Sequence, residues 1–354
     1  MIARVLEERV AGHERYTWLP EGMTLPVVPD ELLKCVVFLG FKDEHGDDRF
    51  MGTAFWVARP RSEEFPNRFR ATYLVSAAHV IEDIKKRVGE NSFVQFRVNL
   101  KAGGQKWEKA PVCCWRSHSD LGADLAVFKI DLNVDLWDHF AWGEEAFVTK
   151  DTAMLDGGRR IEHGDEISIA GLFSSRAGTQ RNIPIVRTAH VAALPDEPIR
   201  NKDGHPMEGV YLVECRSIGG LSGSPVFYDV YAAKTKHLGE TRVVRTQVKW
   251  RLMGFMHGHF NAPDVMPDVA SEAEREKILL NMGIAIVVPA VKISEVLATF
   301  MDEEKRDLEE LRRTRMATVQ PDGLADDSDM QTTPIDAMEE LGHNIPFLGR
   351  IGTV

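Results

Sequence analysis

The sequence predicts an all-β fold, and three observations lead to that expectation. From residue 31 onward, the chain of 354 residues breaks into short apolar runs rich in Val, Ile, Phe and Tyr. Clusters of Gly, Asp, Asn or Pro separate many of these runs, as is typical of strands joined by turns. Between residues 31 and 260 no segment carries a long helical period, so alternating strand and helix units are not expected.

The strand candidates follow one another along the chain as runs of 6 to 10 residues. They are 32–41, 52–57, 72–80, 92–100, 124–130, 166–173, 185–194, 210–215, 224–231, 248–256 and 283–288. The segment VIEDIKKRV at 80–88 predicts about two helical turns. Residues 289–301 predict a terminal helix, which continues into the charged stretch 302–315.

Composition divides the chain into three parts. Residues 1–30 are charged and then dotted with prolines, which predicts an N-terminal arm, and residues 31–300 carry the strand candidates. Residues 301–354 predict a charged helix and a disordered polar tail, because 319–334 has the composition of a linker. The tail is also acidic, since 301–354 holds 13 acidic and 6 basic side chains out of a net charge of −11 for the whole chain.

Charge and cysteine usage exclude several classes of protein. An acidic chain without a basic stripe is not expected to bind nucleic acid. No apolar run approaches the roughly 18–20 residues that span a bilayer, so no membrane association is expected. The four cysteines form neither a disulfide framework nor a C-x-x-C metal site, which predicts a reducing, cytoplasmic setting. The adjacent Cys113 and Cys114 predict a buried strand edge.

Three segments carry residues whose side chains could take part in catalysis. YLVSAAHV ends near His79, DLGADLAVFKI contains Asp124, and IGGLSGSPVF contains Ser222 in a glycine-rich bend. Each segment alone is weak evidence, because a histidine in an apolar strand is usually structural and an aspartate before a strand usually caps a turn. A serine beside glycine in a turn is equally common.

Together the three segments predict nucleophilic catalysis. Hydrolysis of an amide by serine needs a hydroxyl nucleophile, a base and a carboxylate that orients the base. Ser222, His79 and Asp124 supply these groups in the chain order His, Asp, Ser, at intervals of 45 and 98 residues. The α/β-hydrolases run in the order Ser, Asp, His and carry G-x-S-x-G, whereas here Ser224 stands in the place of the second glycine.

Glycines beside the serine predict an oxyanion hole. Gly220 and Gly223 free the backbone of the bend, so that the N–H groups of Gly220 and Ser222 can converge on a developing negative charge.

The chain resembles the chymotrypsin-like serine proteases, and especially their HtrA/Deg-like branch. The resemblance covers residues 32–300 and lies in eight segments in family order: GTAFWV, LVSAAHV, ADLAVFKI, GDEISIAGLF, RTAHVAAL, GGLSGSPVF, LMGFMHG and GIAIVVPAVKISEVL. It implies two six-stranded antiparallel β-barrels that meet at about residues 140–165, with the triad in the cleft between them. Carried onto the matching positions, the resemblance implies that His79 is the general base, Asp124 its orienting carboxylate and Ser222 the nucleophile. The residues after 300 are few and polar, so the PDZ domain that HtrA proteases usually carry is not expected in this stretch.

The segments beside the serine predict the specificity pocket. Arg216 and Ser217 precede Ser222, and His257 and Gly258 follow LMGF on a later strand. No acidic residue stands where trypsin-like enzymes hold Arg or Lys, so basic or imidazole groups predict a preference for Glu, Asp or Gln before the scissile bond. The alternative is that Arg216 points to solvent and His257 is a pocket wall without selectivity.

Several functions remain open at this level. The leading hypothesis is a serine endopeptidase that acts on proteins or peptides without metal or cofactor. A pseudoprotease that binds peptides without cutting them is the alternative, and a protease activated by a regulatory protein partner is a third. The insertion at 261–282 and the charged tail are candidate control elements. His257 and His259 resemble a pair of metal ligands but lack a third ligand nearby.

Overall fold

A computed structural model describes residues 5–10, 13–18, 28–60, 70–149, 160–201, 204–215, 220–229, 250–259 and 283–318. The chain divides into two units, Met1–Leu297 and Ala298–Val354. Strands dominate the first unit, which confirms the predicted all-β class. The proposed insertion at 261–282 and the polar tail from 319 lie outside the described residues.

The first half of the chain forms a curled, mainly antiparallel sheet. Its strands are β3 (Val36–Lys42), β4 (Asp48–Pro60), β5 (Arg70–Ala77), β6 (Phe93–Asn99), β7 (Gln105–Pro111), β8 (Arg116–Ser117), β9 (Leu125–Ile130) and β10 (Trp142–Gly143). They are ordered β7-β6-β3-β4-β5-β9-β8, and β10 pairs in parallel with β4. Within the described residues β7 and β8 are edges, so the first of the two predicted barrels is a half-open one.

The second half closes into a six-stranded barrel, as predicted. Its strands are β11 (Glu166–Gly171), β12 (Ile185–Ala193), β15 (Tyr211–Glu214), β16 (Pro225–Asp229), β17 (Trp250–His259) and β18 (Ile284–Pro289). The closed order is β11-β12-β15-β18-β17-β16. Ile169, Val213 and Val287 are fully buried inside it, because alternate residues of each strand face the interior.

The remaining elements are short apart from two helices. Two hairpins pair β1 (Val5–Val10) with β2 (His13–Trp18) and β13 (Ile199–Arg200) with β14 (Pro206–Met207). The helices are α1 (Asp30–Lys34), α2 (Ala78–Val88) and α3 (Ala290–Thr318), and single 3-10 turns occupy Val112–Cys114, Glu144–Ala146 and Ser174–Arg176. The predictions of α2 and of the terminal helix are confirmed. Among the described helices, none is both long and apolar enough to cross a membrane.

The two adjacent cysteines do not lie where the sequence predicts. Cys113 and Cys114 belong to a 3-10 turn, and Cys113 is exposed. Their sulfur atoms are 3.8 Å apart, and all four cysteines of the chain are free thiols. The prediction of a buried strand edge is therefore wrong, because the chain turns at Pro111, where β7 ends.

A buried polar cluster joins the curled sheet to the barrel. Arg97 of β6 is only 2% exposed, and its guanidinium donates to Asn182 Oδ1 at 2.6 Å and to the Ala177 carbonyl at 2.6 Å. The Asn182 amide donates back to the Arg97 carbonyl at 2.5 Å, and the Asn182 N–H donates to Asn99 Oδ1 at 2.6 Å. The guanidinium also lies over the Phe50 ring, 4.5 Å from its centroid. The loop between β11 and β12 is thereby fixed to β6.

We expect Arg97→Met to lower the free energy of unfolding by about 2–4 kcal/mol. The substitution leaves the buried Asn182 Oδ1 without its Arg97 donor, and it removes one of the two donors to the Ala177 carbonyl, which also accepts the Ile183 N–H. Equilibrium urea unfolding followed by tryptophan fluorescence measures this loss. Arg181→Met alters an exposed arginine of the same loop and is the matched control, with an expected change within about 0.5 kcal/mol. Equal stability of the two variants would show that the cluster does not hold the halves together.

Candidate active site

The three predicted catalytic residues stand at the ends of regular elements. His79 is the second residue of α2, Asp124 directly precedes β9, and Ser222 lies in the bend that leads into β16. β5 and β9 are antiparallel neighbours, with Ala77 opposite Leu125. This pairing brings the start of α2 beside Asp124, although 45 residues separate His79 from Asp124 in sequence.

Asp124 caps the helix that carries His79. The residue before α2 is Ala77, whose side chain offers no cap, and the first turn of α2 contains no acidic residue. Asp124 fills this gap from the neighbouring strand: its carbonyl accepts the Ala78 N–H at 2.9 Å, and its Oδ1 accepts the His79 N–H at 2.9 Å. Its backbone φ of 44° is left-handed, a conformation that aspartate tolerates better than most residues. The cap and the orienting carboxylate are thus the same residue.

The side chains of His79 and Asp124 form a hydrogen-bonded pair. His79 Nδ1 lies 2.7 Å from Asp124 Oδ2. An ionised carboxylate only accepts hydrogen bonds, so this contact assigns the proton of neutral His79 to Nδ1 and leaves a lone pair on Nε2. The arrangement is what a general base needs.

Asp124 is held in its ionised form. Its side chain is only 10% exposed, and burial by itself favours the neutral acid. The hydrogen bonds from His257 and His79 outweigh burial, and together they hold the pKa of Asp124 well below its ordinary value. The carboxylate therefore keeps its charge at every pH at which the protein is expected to work.

Thr53 fastens the Ser222 bend to the curled sheet. Its N–H donates to the Ser222 carbonyl at 2.9 Å, and its hydroxyl donates to the Gly220 carbonyl at 2.7 Å. The Thr53 carbonyl accepts the Ser76 hydroxyl at 2.7 Å. Since Ser76 stands three residues before His79, one buried threonine connects the serine bend with the strand that leads to the histidine.

Gly223 is the residue that allows this close approach. Its φ is 81°, and a Cβ at this position would lie 2.1 Å from the Thr53 carbonyl oxygen and 2.5 Å from Ser76 Oγ. Only glycine fits such a site. Its N–H donates to the Met256 carbonyl at 2.8 Å, which ties the bend to β17 as well.

The predicted oxyanion donors lie on the same bend. The N–H groups of Gly223 and Ser224 are engaged by the carbonyls of Met256 and Leu221. Among the described residues, neither the Gly220 N–H nor the Ser222 N–H donates to any acceptor. Both therefore lack a competing partner within that part of the chain.

Ser222 is close to β17 but is not bonded to the histidine. Its Oγ lies 3.8 Å from the point that a Cβ on Gly258 would occupy. Between the described side chains of Ser222 and His79 no hydrogen bond forms. The structure thus brings His79 and Asp124 into contact and places the serine bend beside them through Thr53 and Gly223.

His257 has a contact that the sequence did not predict. Its Nδ1 is hydrogen-bonded to Asp124 Oδ2, the same oxygen that His79 contacts. The rings of His79 and His257 meet edge to face, with centroids 5.4 Å apart and an interplanar angle of 78°. Arg216 and Ser217 lie outside the described residues, so the predicted specificity pocket stays a prediction.

Sequence reasoning missed Thr53 and Ser76. Both belong to segments that carried the family resemblance, GTAFWV and LVSAAHV, yet neither side chain has a chemical role that would single it out. A single hydroxyl residue in a run otherwise apolar was the available signal, and at Thr53 that residue also follows a glycine.

Three side chains of the site form a set of possible metal ligands. One ligand atom each from His79, Asp124 and His257 lies within 4.8 Å of the others. Imidazole nitrogen and carboxylate oxygen suit Zn²⁺, but both Nδ1 atoms already bond to Asp124 Oδ2, so a metal ion held by the two Nδ1 atoms would have to replace those hydrogen bonds. The His259 side chain, the other half of the predicted ligand pair, lies outside the described residues.

Comparisons with known proteins give little further information. No protein-family model and no curated protein matches the chain. Among solved structures it is similar to a crystal structure of Deg5, with 13% sequence identity over 75% of this chain and 88% of that chain, and a TM-score of 0.42. So weak a likeness carries no weight for family or activity, and the fold is established by the strand pairing alone.

We expect the stability that the Asp124 carboxylate provides to be lost in acid. Its native pKa is lowered, so its contribution is complete above the unfolded pKa of about 4 and falls as the pH drops toward the native value. Urea unfolding of wild type and Asp124→Asn should differ by about 1–3 kcal/mol at pH 5 and converge toward pH 2.5.

Asp135→Asn is the control for this experiment, because Asp135 is an exposed aspartate. Its substitution should change stability by less than about 0.5 kcal/mol at each pH. A gap between wild type and Asp124→Asn that stays constant from pH 5 to pH 2.5 would contradict the lowered pKa.

Proposed function

We propose that the chain is a serine endopeptidase, with residues 31–300 as its protease domain and proteins or peptides as substrates. The observation that carries the proposal is the hydrogen bond from His79 Nδ1 to the buried Asp124 carboxylate, beside a glycine-rich bend that presents Ser222. A histidine oriented by a carboxylate next to a serine is the arrangement on which acyl transfer depends.

The chemistry follows from the position of the protons. Nε2 of neutral His79 removes the Ser222 proton while Ser222 Oγ attacks the substrate carbonyl. The negative charge that develops on the carbonyl oxygen is stabilised by the N–H groups of Gly220 and Ser222. His79 then passes its proton to the leaving amine, which departs and leaves the acyl-enzyme. In the second half of the reaction, His79 removes a proton from the water that attacks the acyl carbonyl and returns it to Ser222 Oγ as the acid product leaves.

Asp124 contributes by staying charged throughout. Its carboxylate fixes the Nδ1–H tautomer of His79 and stabilises the imidazolium that forms when His79 accepts the serine proton. Because the carboxylate is buried, this attraction is stronger than it would be in water.

A fluorophosphonate probe tests the proposal, because it reacts with serines that a base has activated. We expect wild type to be labelled, and Ser222→Ala and His79→Ala to lose about a thousandfold or more in labelling rate. Chelators should leave labelling unchanged, since the proposed reaction needs no metal ion.

Ser224→Ala is the matched control, two residues away in the same motif. The Ser224 hydroxyl is buried and has no hydrogen-bond partner among the described residues, so its loss should affect neither folding nor labelling. A wild-type protein that binds peptides yet is never labelled, even with candidate partner proteins added, would instead support the pseudoprotease. Activity abolished by chelation would favour a metal at His79, Asp124 and His257.

We further propose that substrates carry Glu, Asp or Gln before the scissile bond. His257 Nδ1 is already bonded to Asp124, so the preference depends on Arg216, six residues before Ser222. A guanidinium in the pocket would hold a carboxylate through charge-assisted hydrogen bonds.

A peptide library tests this specificity. Wild type should favour Glu, Asp or Gln over Leu at the cleaved position, and Arg216→Leu should reduce the ratio of kcat/KM for Glu over Leu by about 10-fold or more. Arg200→Leu alters an exposed arginine of β13 and should leave the ratio unchanged. A wild-type profile dominated by Leu, Val or Arg would refute the proposed preference.

A further inference from the structure

The shared oxygen of Asp124 raises the question of what the second histidine does. Asp124 Oδ1 accepts one hydrogen bond, from the His79 backbone, whereas Oδ2 meets the ring nitrogens of both His79 and His257. The His257 side chain is 19% exposed, so it is mostly enclosed by the site. Its contact with a catalytic carboxylate is unlike that of a specificity residue, whose polar atoms face the substrate.

An irregularity of the barrel directs His257 toward Asp124. In the pairing of β17 with β18, Met256 lies opposite Val287 and Gly258 lies opposite Ile286, so His257 is an extra residue between them. Such a β-bulge bends the strand and changes the direction of the side chain at the extra residue. Without the bulge, the neighbouring side chains of β17 would alternate regularly between the barrel interior and its surface.

The residues on either side of His257 hold the serine bend. The Met256 carbonyl accepts the Gly223 N–H and the Met256 N–H donates to the Ser224 carbonyl, each at 2.8 Å. Gly258 faces Ser222 Oγ. His257 therefore stands on a segment fixed to the serine bend, and it is the residue of that segment that contacts the carboxylate of the other half of the protein.

We propose that His257 is a positioning residue, whose Nδ1–H fixes the Asp124 carboxylate to β17 so that the His79 imidazole keeps its catalytic tautomer. This inference depends on the proposed protease function. Oδ2 can accept from both rings at once only if each carries its proton on Nδ1. The terminal torsion of an aspartate is otherwise broad, so a carboxylate with one fewer donor can turn away from His79.

Two variants of His257 separate the hydrogen bond from the space that the ring fills. His257→Leu keeps most of the volume and removes the donor, whereas His257→Asn keeps an N–H close to the position of Nδ1. We expect the leucine variant to lose about 10- to 100-fold in kcat with KM within about twofold, because the carboxylate acts on proton transfer and not on substrate binding. The asparagine variant should stay within about threefold of wild type.

A second measurement does not require catalysis. In Ser222→Ala protein labelled with ¹⁵N-histidine, the ring nitrogen shifts at about pH 8 distinguish N–H from lone-pair nitrogens. His79 should be protonated on Nδ1, and adding His257→Leu should convert it to a mixture of the two tautomers. His190→Leu, at an exposed histidine of β12, should leave the His79 signals unchanged.

The two measurements distinguish the inference from the function on which it depends. Rescue of kcat by asparagine but not by leucine, together with the change of tautomer, supports the positioning role. Equal kcat for the two variants, or a His79 tautomer that is unaffected by His257→Leu, overturns it. If wild type cleaves no peptide and takes no fluorophosphonate, the protease proposal fails, and the tautomer experiment alone decides whether His257 positions Asp124 and His79.

Discussion

The site depends on Thr53, a buried threonine of β4 that lies outside the part of β4 paired with β5. The pairing of β4 with β5 ends at Phe55 opposite Val75, two residues before β5 itself ends at Ala77. Thr53 is therefore left with polar backbone groups facing away from β3, and burial requires that they find partners. They find Ser222 of the barrel and Ser76 of β5. The Thr53 hydroxyl is used twice, since it donates to Gly220 and accepts the Leu172 N–H at 3.0 Å.

Electrostatics imposes the second constraint. A carboxylate as buried as Asp124 is costly unless donors surround it, and here the start of α2 and two imidazoles supply them. The positive end of the α2 dipole also favours a negative charge at this position. The same contacts that compensate the buried charge orient His79, so helix capping and positioning of the proposed base are one arrangement.

The sequence predicted the individual strands and helices better than it predicted whether the first sheet closes into a barrel. Apolar alternation located the strands, and the short amphipathic run predicted α2, because both signals lie within a few neighbouring residues. The order of three motifs predicted the contact between His79 and Asp124, which strand pairing then provides. Whether the first barrel closes depends on which strands meet at the edges of the sheet, and that information is not local. The contact of His257 with Asp124 was unpredictable because it depends on a one-residue bulge in β17.

The bulge has a consequence for specificity. With its Nδ1 bonded to Asp124, His257 can offer a substrate only its other ring nitrogen, which is an acceptor while the ring is neutral and Nδ1 carries the proton. An acceptor cannot hold a glutamate or aspartate side chain in its charged form. Selection of an acidic residue would therefore have to come from Arg216 or from backbone N–H groups. The sequence suggested one role, recognition of an acidic residue, for both His257 and Arg216, and the structure separates the two. His257 contacts the Asp124 carboxylate, and Arg216 is the basic group of the predicted pocket that remains for recognising an acid.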